Sequence, residues 1–200
     1  MNFTELYNDT RQRQREMKLE GLYSGRIDGV AGPKTIAGWA QWQELAKRAA
    51  DTYGTLDERT EKNLATVLPS LQRAIRAWMV QRVLPWAAKR GVAVRVICGT
   101  RSYAEQDALY AQGRTKPGKK VTNARGGYSN HNFGTAVDLG IFEGGKYLEA
   151  DAPYRELARE CGLPDGCLWG GNWQSMPDAP HYQLAKWGST TAAVREAIAK

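Results

Sequence analysis

The sequence predicts an α+β protein in which short strands lie among helices, preceded by a small helical module. Three observations predict it. The stretches 92–98, 135–142 and 181–184 alternate apolar residues with small or polar ones, the period of half-buried strands. After Ser70, the residues Leu71, Ile75 and Trp78 recur at i, i+4 and i+7, one face of a helix. Before residue 50, two helix-permissive segments flank a link with four glycines and a proline.

Length and composition set the outer bounds. At 200 residues the chain holds one medium domain plus a small one. Hydrophobic residues at 42% and charged residues at 24% are ordinary for a soluble globular protein. No run approaches the ~18 apolar residues of a membrane span. The polar, charged start from Met1 to Glu20 has no apolar core and is no standard secretory signal. Three cysteines, Cys98, Cys161 and Cys167, are too few for a disulfide framework, and the odd count suits a reducing compartment. Cys161 and Cys167 flank a Gly-Leu-Pro-Asp-Gly turn as plain thiols, with a disulfide or metal ligation as the alternatives.

The elements follow in order. Residues 5–19 read as a helix that Gly21 ends. The link Gly21–Thr35 needs several unusual backbone angles, and a second helix runs from Pro33 to about Arg48, its proline in the first turn where a missing N–H costs little. Residues 49–69 read as a linker or short helix. The amphipathic helix from Ser70 is kinked or ended by Pro85. Gly91 opens the strand 92–98, with Val92, Val94, Val96 and Cys98 on one face. Ser102 and Glu105 form a capping-box pattern that starts a helix to about Ala111. Residues 113–128, rich in Gly, Lys and Arg, read as an exposed loop. The strand 135–142 carries Val137, Leu139 and Ile141 on a core face and Ala136, Asp138 and Gly140 on a bare one. A helix over 152–161, a turn at 169–173, a strand through His181 and a closing helix at 191–199 complete the chain.

The chemistry gathers around the protein's two histidines. His131 precedes Asp138 by seven residues, roughly 23 Å along a strand or roughly 10 Å along a helix, too far for one coordination sphere. The segment must therefore turn back, and Gly134 sits where a turn needs it. In Asp178-Ala179-Pro180-His181, the residue before proline is pushed extended, and His181 and Gln183 then share a strand face. His131, Asp138 and His181 form a normal zinc ligand set with one position left for water, and Asp178, three residues before His181, can act on that water as a base. The alternative for each histidine is a satisfied core or turn position.

Ser129-x-His131-x-x-Gly134-x-Ala136-x-Asp138, with the later Asp178-x-x-His181, resembles the zinc peptidases of the D-alanyl-D-alanine carboxypeptidase family. Trp169-Gly170-Gly171-Asn172-Trp173 before Asp178-x-Pro180-His181 is similar to its L-alanyl-D-glutamate endopeptidase branch, to which phage endolysins and wall-remodelling enzymes belong; Asn172 stands where that branch often has aspartate. The resemblance implies a small antiparallel sheet flanked by helices that carries the zinc site, the hedgehog/D-Ala-D-Ala peptidase-like fold. It implies one catalytic Zn2+ on His131, Asp138 and His181, with Asp178 as base. Arg101, in Gly99-x-Arg101-Ser102, would face the zinc and meet an oxyanion or the substrate. Ser129 and Trp173 would contact substrate, whereas Gln106 and Tyr110 also match the family's string and are expected to be structural. Separately, Gly21-x-Tyr23-x-Gly25-x-Ile27-Asp28-Gly29-x-x-Gly32-Pro33-x-Thr35 resembles the peptidoglycan-binding module of cell-wall hydrolases, over about residues 5–46. Tyr23, Ile27, Trp39 and Trp42 either stack on glycan or form the core of that small unit.

The organisation expected is thus a peptidoglycan-binding-like module at 1–50, a linker or short helix at 51–69 and a zinc peptidase domain at 70–200. The net charge is +7. Between residues 70 and 128 twelve arginines and lysines face only Glu105 and Asp107, which suits an anionic wall; no nucleic-acid module accompanies them. The expected partner is bacterial peptidoglycan, met by a monomer with no nucleic acid and no stable membrane insertion. The leading function is an endolysin that cuts the L-Ala–D-Glu bond, held in the host cytoplasm until a membrane pore releases it. A D-alanyl-D-alanine carboxypeptidase and a non-catalytic wall-binding protein are the alternatives.

Overall fold

A computed structural model describes residues 9–199. It is an α+β fold built on one small antiparallel sheet. The helices are α1 (Thr10–Glu20), α2 (Pro33–Tyr53), α3 (Glu58–Leu64), α4 (Pro69–Trp78), α5 (Leu84–Arg90), α6 (Tyr103–Ala111), α7 (Asp151–Cys161) and α8 (Ala192–Ala199). The strands are β1 (Val92–Cys98), β2 (Ala136–Glu143), β3 (Lys146–Tyr147), β4 (Cys167–Trp169) and β5 (His181–Leu184). The sheet runs β1-β2-β5-β4, with β3 folded back on the end of β2, and every pairing is antiparallel.

The helix ends follow local chemistry. Asp9 caps α1 by accepting from the Gln12 N–H, and Gly21 closes it in a left-handed conformation. Residues 5–8 of the expected first helix lie outside the described residues. Helix α2 starts at Pro33 as expected but continues to Tyr53, five residues past Arg48. The expected linker holds the short helix α3, whose buried Thr60 and Leu64 pack against β1. There the Thr60 hydroxyl accepts from the Val96 N–H, and Asn63 donates to the Val96 carbonyl.

Pro85 does not end the helix that begins at Pro69. A π-helical turn at Met79–Val83 carries the chain from α4 into α5, with Pro85 in the first turn of α5. Proline offers no N–H and its ring crowds the carbonyl four residues back, and a wider turn upstream accommodates both defects.

Val94, Val96, Val137, Leu139, Ile141 and Tyr182 form the apolar face of the sheet, all nearly or fully buried. Leu71, Ile75 and Trp78 pack beneath it from α4, with Leu68 just before that helix, and Tyr154 and Leu157 from α7. The same apolar cluster continues without a break into Met17, Leu19, Trp39 and Trp42 of the N-terminal helices.

Those N-terminal aromatics settle one alternative left open by the sequence. Trp39 is 1% exposed and Trp42 2%, their rings stacked at 5.6 Å under the Arg13 guanidinium. Rings covered on both faces leave no surface for a sugar, so the assignment of Trp39 and Tyr23 to glycan contact is corrected to core. Tyr23 is also buried, and its hydroxyl donates to the Arg26 carbonyl at 2.6 Å. Around it the buried Gln14 amide nitrogen lies within hydrogen-bond reach of the Tyr23 hydroxyl, Asp28 Oδ1, the Val30 carbonyl and Thr35 Oγ1, which share its two N–H donors, and its oxygen accepts from Gly29 N–H. The glycine-rich string is thus a turn wound around one glutamine.

Candidate metal centre

The bare face of the sheet carries the site. The register pairs Asp138 of β2 with His181 of β5 on one side and with Cys98 of β1 on the other. Antiparallel neighbours stand about 4.5–5.5 Å apart, so the sheet itself brings the carboxylate and the second imidazole together.

His131 arrives by a turn. Asn130–Phe133 form one 3₁₀ turn, Gly134 follows at φ +66°, and β2 begins two residues later. A Cβ at Gly134 would press on Thr100 Oγ1 and the Leu68 N–H at 3.2 and 3.3 Å, and the left-handed angle alone would strain any other residue. The seven-residue interval between His131 and Asp138 is closed in this way.

Three atoms converge. His131 Nε2 lies 3.2 Å from Asp138 Oδ1 and 3.2 Å from His181 Nδ1, and the third side, His181 Nδ1 to Asp138 Oδ1, is 3.1 Å. A tetrahedral ion with bonds of 2.0–2.1 Å spaces its ligand atoms about 3.3 Å apart, close to this triangle. The remaining ring nitrogens assign the tautomers. His131 Nδ1 donates to the Gly99 carbonyl at 2.8 Å, and His181 Nε2 to Gln183 Oε1 at 2.9 Å. Gln183 is held in turn by Asn130 Nδ2 at 2.9 Å and by its own donation to the Gly188 carbonyl. Both imidazoles therefore present a lone pair to the same point as a carboxylate, an arrangement that needs a cation at its centre. The donor set fits a metal ion.

The field of the site calls for positive charge at its centre, which a proton on His131 or a bound cation in that proton's place supplies. Burial opposes charge on His131, but Asp138 outweighs it and draws the imidazole up to about 10. Asp138 is held well below the usual carboxylate range: burial pulls it upward, and the two histidines overcome that pull.

Asp178 lies beside this triangle, a carboxylate oxygen within 4.8 Å of ligand atoms of both Asp138 and His181. Burial first, and then the charge of Asp138, push its carboxyl upward. Its position depends on Gly170, whose carbonyl accepts from the Asp178 N–H at 3.0 Å. A side chain there would collide with the Asp178 carbonyl and with His181 Cβ. Trp169 secures the same segment by donating to the Ala179 carbonyl at 2.7 Å, and the Trp173 ring leans over His181 at 5.0 Å.

Arg101 stands at the opposite edge. Its guanidinium reaches Asp138 Oδ2 at 3.5 Å, Cys98 Sγ at 3.2 Å and Gln106 Oε1 at 2.7 Å. The expected capping box of Ser102 and Glu105 is present and starts α6 immediately after it. Ser129 precedes the 3₁₀ turn and lines the same cleft, a cavity of about 590 Å³ whose lining also includes Thr122, Ala124, Trp173 and Asp178. The structure thus gathers His131, Asp138, His181, Asp178, Arg101, Ser129 and Trp173 around one cleft, and places Tyr23 and Trp39 outside it.

Cys98 was not singled out as part of this site by sequence. Its thiol lies 3.8 Å from His131 Nδ1 and within 4.8 Å of a carboxylate oxygen of Asp138, so it borders the triangle. The alternation places Cys98 on the face of Val94 and Val96, and the structure corrects this: an irregularity in register between Val96 and Cys98 pairs the cysteine with Asp138. Cys161 and Cys167 are free, buried thiols, and burial pushes Cys167 up to about 12, which makes it a poor ligand.

Known proteins share parts of this sequence. Residues 70–159 match the family model of VanY, D-alanyl-D-alanine carboxypeptidase, a span that contains Arg101, His131 and Asp138 and stops before Asp178 and His181. The chain is 38% identical over 111 residues to the peptidoglycan L-alanyl-D-glutamate endopeptidase CwlK of Bacillus subtilis (strain 168); the match covers 49% of this chain and 64% of that protein. The crystal structure of the L-Ala D-Glu endopeptidase ChiX of Serratia marcescens is 30% identical, with a TM-score of 0.44 over 64% of this chain and 88% of that one. The segment carrying the arginine, the first histidine and the aspartate is therefore similar to the D-alanyl-D-alanine carboxypeptidase VanY and, in sequence, to an L-alanyl-D-glutamate endopeptidase, of which the chain spans a little under two thirds.

Proposed function

We propose that the protein is a zinc-dependent peptidoglycan peptidase that hydrolyses the L-Ala–D-Glu bond of cell-wall stem peptides. The observation that carries this reading is the triangle of His131 Nε2, His181 Nδ1 and Asp138 Oδ1, flanked by Asp178 and Arg101. The choice of bond rests on the 38% identity to an L-alanyl-D-glutamate endopeptidase.

His131, Asp138 and His181 would hold the zinc, which when bound supplies Lewis acidity and brings the pKa of a coordinated water toward ~7. Asp178 accepts the proton of the attacking water and returns it to the leaving amine. Arg101 offers a permanently charged guanidinium to the oxygen that gains negative charge as the carbonyl is attacked. Gly99 and Gln183 hold each imidazole in the tautomer that leaves its lone pair free. Ser129 and Trp173 line the cleft where the stem peptide would lie. We place the activity in bacterial wall lysis, acting as a monomer. The motif shared with wall-binding modules supports that setting.

The test is mass spectrometry of purified peptidoglycan digested with the protein, with and without chelator. New amino-terminal D-glutamate on released peptides, abolished by chelator and restored by zinc, is the expected result. Loss of terminal D-alanine alone would move the reading to a carboxypeptidase, the activity named by the matching family model. Sedimentation with the wall without cleavage would leave a binding protein.

A further inference from the structure

Gln106 is fully buried on α6, yet both ends of its amide are committed toward the cleft. Its oxygen accepts from Arg101 Nη1 at 2.7 Å. Its nitrogen donates to the Ala124 carbonyl at 2.9 Å and lies 3.3 Å from Thr122 Oγ1. Residues 122–124 line the same cleft as Asp178. The amide orientation follows from these partners, since a guanidinium can only donate and a carbonyl can only accept.

Arg101 has few other restraints on its fork. Nη2 reaches Cys98 Sγ, a weak acceptor, at 3.2 Å and Asp138 Oδ2 at 3.5 Å, beyond the usual length of an N–H···O bond. A charged donor to a neutral amide oxygen at 2.7 Å is a strong hydrogen bond, and this one is shielded from water. We infer that Gln106 is a positioning residue: it fixes the Arg101 guanidinium against the Asp138 edge of the metal centre and ties it to the wall formed by residues 122–124. Gln106 touches none of the three metal-facing atoms, so its effect passes through Arg101.

The inference rests on the peptidase reading for its kinetic arm but has a second arm that does not. Gln106→Met keeps the length and apolar stem of the side chain and removes both hydrogen-bonding ends. In the zinc-supplemented protein, NMR of 15N-labelled arginine should show restricted rotation of the Arg101 guanidinium in the wild type and free rotation in Gln106→Met. In peptidoglycan digestion, kcat should fall about 10–100-fold, the cost of misplacing a catalytic group by about an ångström. KM and zinc content should stay unchanged. Placed in an Arg101→Ala background, Gln106→Met should cause no further loss, because the two changes share one route. Gln106→Glu, which keeps the acceptor for Arg101, should retain the restricted guanidinium and serves as the readout if the methionine variant does not fold. Free rotation in the wild type, an unchanged kcat, or an additive loss in the double variant would each overturn the inference. If the wild type itself shows no chelator-sensitive cleavage, the peptidase reading fails, and the NMR comparison still decides the role of Gln106.

Discussion

The backbone N–H of Arg101 donates to the carbonyl of His131 at 3.0 Å. Asn132 Nδ2 returns the link by donating to the Arg101 carbonyl at 2.8 Å, and His131 Nδ1 donates to the Gly99 carbonyl. The end of β1 and the histidine turn are thus laced together by three hydrogen bonds. The Arg101 guanidinium and the His131 imidazole, proposed to meet the oxyanion and the metal, are held by one rigid joint, though thirty residues separate them in sequence.

That joint makes Arg101→Lys informative. Lysine keeps the positive charge but loses the planar fork that spans Gln106, Cys98 and Asp138. The expected outcome is a fall in kcat of about 10²-fold, in the range for losing an oxyanion donor. Metal content should stay at one equivalent. Steady-state kinetics with metal analysis on the same preparation checks it, and a variant of full activity would place the guanidinium outside the reaction.

The ligands and the base should separate cleanly. His131→Ala and His181→Ala each remove a corner of the triangle and should lose both zinc and activity. Asp178→Asn leaves the three corners in place and should bind zinc normally while losing nearly all hydrolysis. Plasma emission analysis beside peptidoglycan digestion reads both. Stoichiometric zinc in His131→Ala would break the ligand assignment, and substantial hydrolysis by Asp178→Asn would remove it from the role of base.

Much of this centre is legible in sequence for a physical reason. His131, Gly134 and Asp138 lie close in the chain, and their spacing forces a turn that only a few residues can make. Strand β1 and the capping box of α6 are likewise local patterns. What local patterns do not contain is register. Cys98 becomes a neighbour of the site only because β1 pairs with β2 in one alignment. Strand β4 is three residues long, too short to show a period, and takes its form from pairing with β5. Gln106 carries no motif chemistry of its own; its meaning comes from Arg101 and Ala124 meeting at its two ends. The tryptophans of α2 show the reverse difficulty, since aromatic residues in a small module suit a sugar platform and a core equally until burial is known.

Their burial predicts a purely structural phenotype. Trp39→Ala should cost about 3–5 kcal/mol of stability, the range for emptying a large buried aromatic site. Trp39→Phe fills most of the volume and should fold, with sedimentation onto purified peptidoglycan unchanged from the wild type. Denaturant unfolding and a pelleting assay test the pair. Loss of wall binding by folded Trp39→Phe would return the ring to the glycan surface.

Acid stability should report the ion pair that joins α3 to α4. Glu61 meets both terminal nitrogens of Arg76, Nη2 at 2.6 Å, and Arg76 Nη1 also donates to the Gly54 carbonyl at 2.9 Å. The Arg76 side chain is only 4% exposed and that of Glu61 32%. Burial pulls the Glu61 carboxyl upward, but its bonds to Arg76 and the Leu56 N–H, with the arginine's charge, leave it below the ordinary glutamate value. A carboxyl depressed in the folded state gives stability that is full above its unfolded pKa, near 4.5, and drains away as pH falls through the lower folded value. Glu61→Gln should therefore destabilise the protein at neutral pH by roughly 2 kcal/mol, less than the ~3–5 kcal/mol of a fully buried pair because water reaches the carboxylate. The gap between wild type and variant should hold constant down to about pH 4.5 and narrow steadily below it. Urea unfolding at a series of pH values reads this directly. A gap that stays constant through the acid range would show that Glu61 helps the fold through packing and not through its charge.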